Sequence, residues 1–161
     1  MSNDSFTHLD DQGRAHMVNV DEKPTTRRSA RARAVVTMAP ETAQAIRAVE
    51  LDKGDALSVA RLAGIMGAKR TADLIPLCHP LPLDHVAVHL EVEEDRVVIE
   101  TQATCDGKTG VEMEALTAAT TAALALYDMA KARDRAMVIS EVLLLEKSGG
   151  RSGHWRRDGH G

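Results

Sequence analysis

Asp128 and Lys131 stand three residues apart near the end of a stretch with helical character, a spacing at which a carboxylate and an ammonium on an α-helix can meet. Such a pair can exchange protons with a bound group. On spacing alone, a weak ion pair on a solvated face is the favoured reading. Glu114, Thr117 and Thr121 fall on the same stripe at about 100° per residue. Glu114 and Asp128 are separated by about 21 Å along such a helix, so within one subunit they cannot grip the same small group. Packed antiparallel against its copy across a two-fold axis, the helix would bring Glu114 of one chain toward Asp128 and Lys131 of the other.

Leu77-Cys78-His79-Pro80 is the second candidate. A histidine fixed between Pro76 and Pro80 presents its ring from a stiff loop; the alternative is a buried, hydrogen-bonded histidine. His85 and His89 share a strand face, but no carboxylate or thiol stands at ligand spacing from them, so nothing in the sequence demands a metal. Asp106-Gly107-Lys108-Thr109-Gly110 places Gly-Lys-Thr before a helix, yet a P-loop needs glycine five positions before Gly107 and Gln102 is there. Glu112 and Glu114 would also repel an anion from that helix N-terminus. They better suit donors such as the amino and ring N–H groups of a guanine-like base. Lys147 to Gly153 combines cations with glycine-rich backbone, which can form a nest for phosphates; composition favours a disordered tail there.

These groups need elements to hold them. The chain has 161 residues, the size of one domain, with 43% hydrophobic and 27% charged residues and a formal charge of −4. The whole chain, 1–161, is expected to be a single domain, with residues 1–20 and 149–161 flexible. Only Phe6, Tyr127 and Trp155 are aromatic, so the core must be aliphatic and rich in alanine. The pattern predicts a strand over Arg31–Met38 and a helix opened by Pro40. A longer helix over about Ala56–Leu74 follows, with Val59, Leu62, Ala63 and Met66 inward. A hairpin is predicted from Val86–Val92 and Val97 to about Thr104. A helix over about Val111–Ala132 has Met113, Leu116, Thr120, Ala123 and Tyr127 down one face, and Met137–Leu145 reads as a buried strand. With the first two helices as one crossover this is the β-α-β-β-α-β order: a ferredoxin-like α+β fold, an antiparallel sheet with helices on one face.

Several segments together resemble one family. They are Lys53-Gly54-Asp55, Ala68-Lys69-Arg70-Thr71, Asp73 through Leu81, Gly107 through Leu116, Tyr127-Asp128-Met129 with Lys131, and Lys147-Ser148-Gly149-Gly150. Over about His16–Gly153 the chain resembles the MoaC family, the cyclic pyranopterin monophosphate synthases of molybdenum cofactor biosynthesis. The resemblance implies a lyase that rearranges 3′,8-cyclo-7,8-dihydro-GTP to a pyranopterin, closes a cyclic phosphate and releases pyrophosphate. It implies a hexamer, a trimer of dimers, with sites at the dimer interface. By matching motif, Asp128 is the acid/base residue, Lys131 its partner and Lys53 a further catalytic lysine. Leu77, Cys78, His79, Glu112, Met113 and Glu114 line the substrate, and Arg28, Lys69 and Lys147 face its phosphates. No cofactor is implied. One departure stands out: the family commonly has aspartate in its Met-Val-Asp-Val segment, and this chain has Asn19, which keeps hydrogen bonding and lacks the charge.

Two other classes compete. A non-catalytic nucleotide sensor on the same scaffold would need the binding groups but not Asp128 or Lys131. An RNA-recognition module needs stacking aromatics on its middle strands, and Val86–Val92 and Val97–Thr104 hold none. Nucleic acid is therefore not an expected partner. No window is apolar enough to span a membrane, and two cysteines without a disulfide framework fit the cytoplasm.

Overall fold

The computed structural model describes residues 12–159; Phe6 and His8 lie outside the described residues. The elements run β1 (Thr26–Thr37), α1 (Pro40–Ala48), α2 (Ala56–Lys69), α3 (Thr71–Leu74), β2 (His85–Val92), β3 (Arg96–Gly107), α4 (Glu112–Ala130), β4 (Val138–Ser148) and β5 (Trp155–Arg156). The sheet order is β2-β3-β1-β4-β5, every pairing antiparallel. Without β5, this is the ferredoxin-like layout expected.

Local chemistry accounts for the boundaries. Pro40 opens α1 with Glu41 in its first turn. Gly54 takes φ +85°, a conformation suited to glycine, and Asp55 caps α2 by accepting the Ser58 N–H at 3.0 Å. α2 stops at Lys69, earlier than expected: Arg70 leaves the helical region, and the Thr71 hydroxyl donates back to the Ala68 carbonyl at 3.0 Å. β1 starts earlier than expected, so Arg27 and Arg28 ride on the strand. The tail contributes β5, for which the sequence offered no signal.

The core differs in character from the expected one. α4 turns Ala115, Ala118, Ala119, Ala122, Ala123 and Leu126 inward with no exposed surface. Of the expected face only Ala123 is fully buried, and Met113 is exposed. Glu114 is buried at 4% exposure rather than solvated. On α2 the expected inward residues Val59, Leu62 and Met66 point out, while Ala56, Ala60, Gly64, Gly67 and Ala68 are buried. Side-chain size explains both corrections. Small residues let α2 and α4 approach closely, and a Cβ at Gly64 would lie 3.0 Å from the Ala118 carbonyl oxygen. β4 is also less buried than expected, with Val138 and Val142 exposed.

At Gly67 a Cβ would lie 2.8 Å from the Cβ of Thr121, an atom no rotamer change can move. Gly67→Ala should therefore destabilise the fold by about 1–2 kcal/mol, because overpacking costs about 1–3 kcal/mol and the helix-propensity gain is at most about 1 kcal/mol. Urea unfolding of the variant measures this, and an unchanged midpoint would mean that the helices sit farther apart.

Candidate active site

One cluster forms at the C-terminal end of α4. Lys53, in the turn before α2, donates from Nζ to Asp128 Oδ2 at 2.7 Å and to the Asp128 carbonyl at 2.9 Å. Lys131 Nζ lies 2.6 Å from Asp128 Oδ1. One carboxylate thus holds two ammonium groups, one per oxygen. The hydrogen bonds from Lys131 and then Lys53 pull the Asp128 pKa down to about 2. All three side chains are about half exposed, so the cluster is open to a ligand. Beside it a cavity of about 210 Å³ is lined by Lys53, Met129, Ala130 and Arg133 among others.

The other end of α4 faces two larger cavities. The first, about 450 Å³, brings together Lys23, Arg28, Lys108, Lys147 and Arg151 against a single carboxylate, Glu112. Its wall is the glycine loop after β4, where Gly149 and Gly150 take φ +101° and +70°. A Cβ at Gly150 would collide with the Arg28 guanidinium, and one at Gly149 with the Arg27 carbonyl. Arg28 is itself braced, donating from Nε to the Gly107 carbonyl at 3.2 Å and from Nη2 to the Lys108 carbonyl at 3.3 Å. Lys147 Nζ bonds the Ser152 hydroxyl and lies 4.0 Å from Glu112 Oε1. Clustered cations beside exposed backbone of this kind suit a polyphosphate.

The second cavity, about 410 Å³, is lined by Leu77, Cys78, His79, Met113, Glu112 and Glu114, with Val18 and Val20 across from them. The cavities share Lys23, Thr109, Gly110 and Glu112 and so form one trough. Burial, and then the neighbouring Glu112, pushes the Glu114 carboxyl above its ordinary value of 4.5. Burial, followed by Glu114, raises the Cys78 thiol above its ordinary range. Among the described residues no cluster of three or more His, Cys, Asp or Glu side chains could hold a metal ion.

Most of the expected residues gather in these two places. Asp128, Lys131 and Lys53 meet in the cluster. Arg28, Lys147, Glu112, Leu77, Cys78, His79, Met113 and Glu114 line the trough. Lys69, the last residue of α2, is exposed and lines none of these cavities. The Gly107–Gly110 loop borders the cationic cavity although its glycine spacing is not that of a P-loop. Lys23 and Thr26 carried no sequence signal, since neither belongs to a motif and only the fold brings them to the trough.

Fold and site define a ferredoxin-like α+β protein with a cationic, glycine-walled trough that opens onto Glu112 and the buried Glu114. The MoaC family model matches residues 17–150, and the chain belongs to that family. It is 58% identical over 153 residues to a Herpetosiphon aurantiacus protein named cyclic pyranopterin monophosphate synthase, covering 94% of this chain and 93% of that one. A Thermomicrobium roseum protein of the same name is 56% identical over 155 residues, covering 95% and 93%.

The raised Glu114 carboxyl gives a prediction with a definite sign. Below pH 4.5 the group is protonated both folded and unfolded, and carries no penalty. As pH rises through its raised folded pKa, the unfolded state ionises more readily and the fold is penalised. Glu114→Gln should melt at a higher temperature than the wild type at pH 7, with the gain fading toward pH 4. A gain that is the same at both pH values would show that ionisation of Glu114 is not the cause.

Proposed function

We infer that this protein is a lyase that converts 3′,8-cyclo-7,8-dihydro-GTP to cyclic pyranopterin monophosphate with release of pyrophosphate, in molybdenum cofactor biosynthesis. The observation that carries the reading is the trough, cationic and glycine-walled at one end and acidic at the other. A purine triphosphate has that polarity. Its phosphates suit Arg28 and Lys147, with Lys69 a more distant cation, and the amino and ring N–H groups suit Glu112 and Glu114. Leu77, Cys78, His79 and Met113 supply the remaining wall around the base. The relatives named above are synthases, which favours an enzyme over a sensor.

The chemistry requires protons moved on and off nitrogen and oxygen. With a pKa near 2, Asp128 holds no proton at neutral pH in the free site and can only accept. Lys131 and Lys53 are the donors it orients. Cations around the phosphate chain stabilise the charge on departing pyrophosphate. Asn19 fits a structural part: its Oδ1 accepts the Asp21 N–H at 2.8 Å, a bond that amide and carboxylate make alike.

The active form is a homo-oligomer, a hexamer built as a trimer of dimers, in which each chain acts as one catalytic domain in the cytoplasm. Two observations support assembly. The outward stripe of α2 exposes Leu62 at 62% and Met66 at 57%, with Leu124 exposed at 56% on neighbouring α4; apolar surface of that kind marks an interface. The trough and the Asp128 cluster also stand at opposite ends of α4, about 21 Å apart by helix rise. A site made from the trough of one chain and the cluster of its partner closes that gap.

Two experiments check these assignments. Lys131→Ala should keep the oligomer and melting temperature of the wild type while pyrophosphate release, followed by mass spectrometry, falls to background; normal turnover would remove Lys131 from the mechanism. Co-expressing Glu114→Gln with Asp128→Asn, each inactive alone, should restore about a quarter of wild-type activity, because half of randomly paired dimers then carry one intact shared site. No recovery in mixed dimers would overturn the shared site.

A further inference from the structure

The glycine wall of the cationic cavity is the loop of a hairpin. Gly149, Gly150, Arg151 and Ser152 line the cavity, and they lie between the end of β4 and the short strand β5. The loop has little to hold its own shape. The Gly153 N–H donates to the Gly150 carbonyl at 3.2 Å, and Lys147 Nζ bonds Ser152. Gly149, Gly150 and Gly153 all take positive φ, and glycine gives up more backbone freedom on ordering than any other residue. A chain end of this composition stays ordered where it is tied down.

The tie is the segment that follows. Glu146 faces Arg156 and Lys147 faces Trp155 in the β4–β5 pairing, and His154 Nε2 lies 2.9 Å from Glu146 Oε1. Arg157 then makes two bonds at once. Its backbone N–H donates to the Leu145 carbonyl and its Nε to the Leu144 carbonyl, both at 2.8 Å. A slip in the β1–β4 register between Arg31 and Ala32 leaves Leu145 with no partner on β1; a bulged residue is unpaired in its ladder, and Arg157 takes its carbonyl. The guanidinium also lies 5.6 Å from the centre of the Trp155 ring, within cation–π range. Arg157 is half-buried, whereas Trp155, Arg156 and Asp158 around it are exposed.

We propose that Arg157 is a positioning residue, which clasps the end of the chain to the bulge of β4 and so holds the glycine loop in place as the cavity wall. Arg157 lines none of the cavities described above and acts through residues 149–152. Its effect falls on how firmly a polyphosphate is held and leaves the proton transfers at Asp128 alone. The inference deepens the function proposed above and rests on it for the identity of the substrate, but order in the loop can be measured without substrate.

The test uses the full chain with Arg157→Ala and Arg157→Lys, and with Arg156→Ala as a control that loses the same charge from an exposed position. Each is followed by the rate of trypsin cleavage after Arg151, by calorimetric titration with inorganic pyrophosphate, and by kcat and KM for 3′,8-cyclo-7,8-dihydro-GTP, with melting temperature as the folding control. Arg157→Ala is expected to speed the cleavage, weaken pyrophosphate binding and raise KM, each by about tenfold, the effect of losing one net hydrogen-bonded contact, while kcat and melting temperature stay near the wild type. Arg157→Lys keeps the backbone N–H and a cationic donor and should recover part of the loss, and Arg156→Ala should behave as the wild type. Arg157→Ala with the cleavage rate and pyrophosphate affinity of the wild type overturns the inference. So does an equal loss in Arg156→Ala, which would put charge in place of the clasp, or a fall in kcat at unchanged KM. If the wild type forms no product, the proposed reaction fails, and the cleavage rates still decide for or against Arg157.

Discussion

Ala115, Ala118, Ala119, Ala122 and Ala123 of α4 have no exposed surface, and they meet strands whose inner side chains are also small: Ala30, Ala32, Ala34 and Ala103. Helix and sheet therefore lie close together, and inside that contact the Thr101 hydroxyl donates to the Ala115 carbonyl at 2.7 Å. Close packing without bulky side chains leaves little freedom for α4 to slide or roll. The groups at the two ends of α4 inherit their positions from this contact. The N-terminal end of α4 brings Glu112, Met113 and Glu114 to the trough, and the C-terminal end presents Asp128 and Lys131. On the other flank α2 uses Gly64 and Gly67 to approach the same helix, which carries the turn holding Lys53 to within reach of Asp128.

The same alanine-rich packing explains what could and could not be read from the chain. The order of elements, the hairpin of β2 and β3, and the start of α2 at Asp55 follow from alternation, turn residues and capping, all local signals. Which face of a helix is buried is not local. Size usually marks the core, so the pattern places Val59, Leu62, Met66, Met113 and Leu116 on the buried faces of α2 and α4. Here the core is selected for smallness, and several of the large residues lie outside it. Glu114 moved from an expected solvated stripe to a buried wall for the same reason.

Motif residues survived this better than pattern residues. Asp128 and Lys131 meet because they share a helix turn, and Leu77, Cys78 and His79 arrive together because they are consecutive. The bond from Lys53 to Asp128 spans 75 residues of sequence, and only the fold makes it. The meeting of Arg28, Lys147 and the Gly149–Gly150 loop depends on β1 pairing with β4, where Ser29 faces Ser148. Lys23 and Thr26 lie before the core of β1 in a stretch whose composition is that of a linker, so no residue pattern could have drawn attention to them.

Two carboxylates on one helix are driven in opposite directions. Glu114, buried beside Glu112 and two cysteines, is pushed above its ordinary range; Asp128, in the open between two ammonium groups, is pulled down to about 2. The split follows from their surroundings, one carboxyl buried and the other exposed between cations. Within one subunit the split serves no single substrate, because the length of α4 keeps the two groups apart. On the proposed two-fold arrangement the partner's α4 runs the other way, and the raised carboxyl of one chain and the depressed carboxylate of the other face one ligand. The apolar stripe on α2 lies on the flank of α4, where such a partner would bury it. Helix length, the opposed carboxylates and the uncovered apolar surface then answer to one requirement, that the chemistry be assembled from two chains.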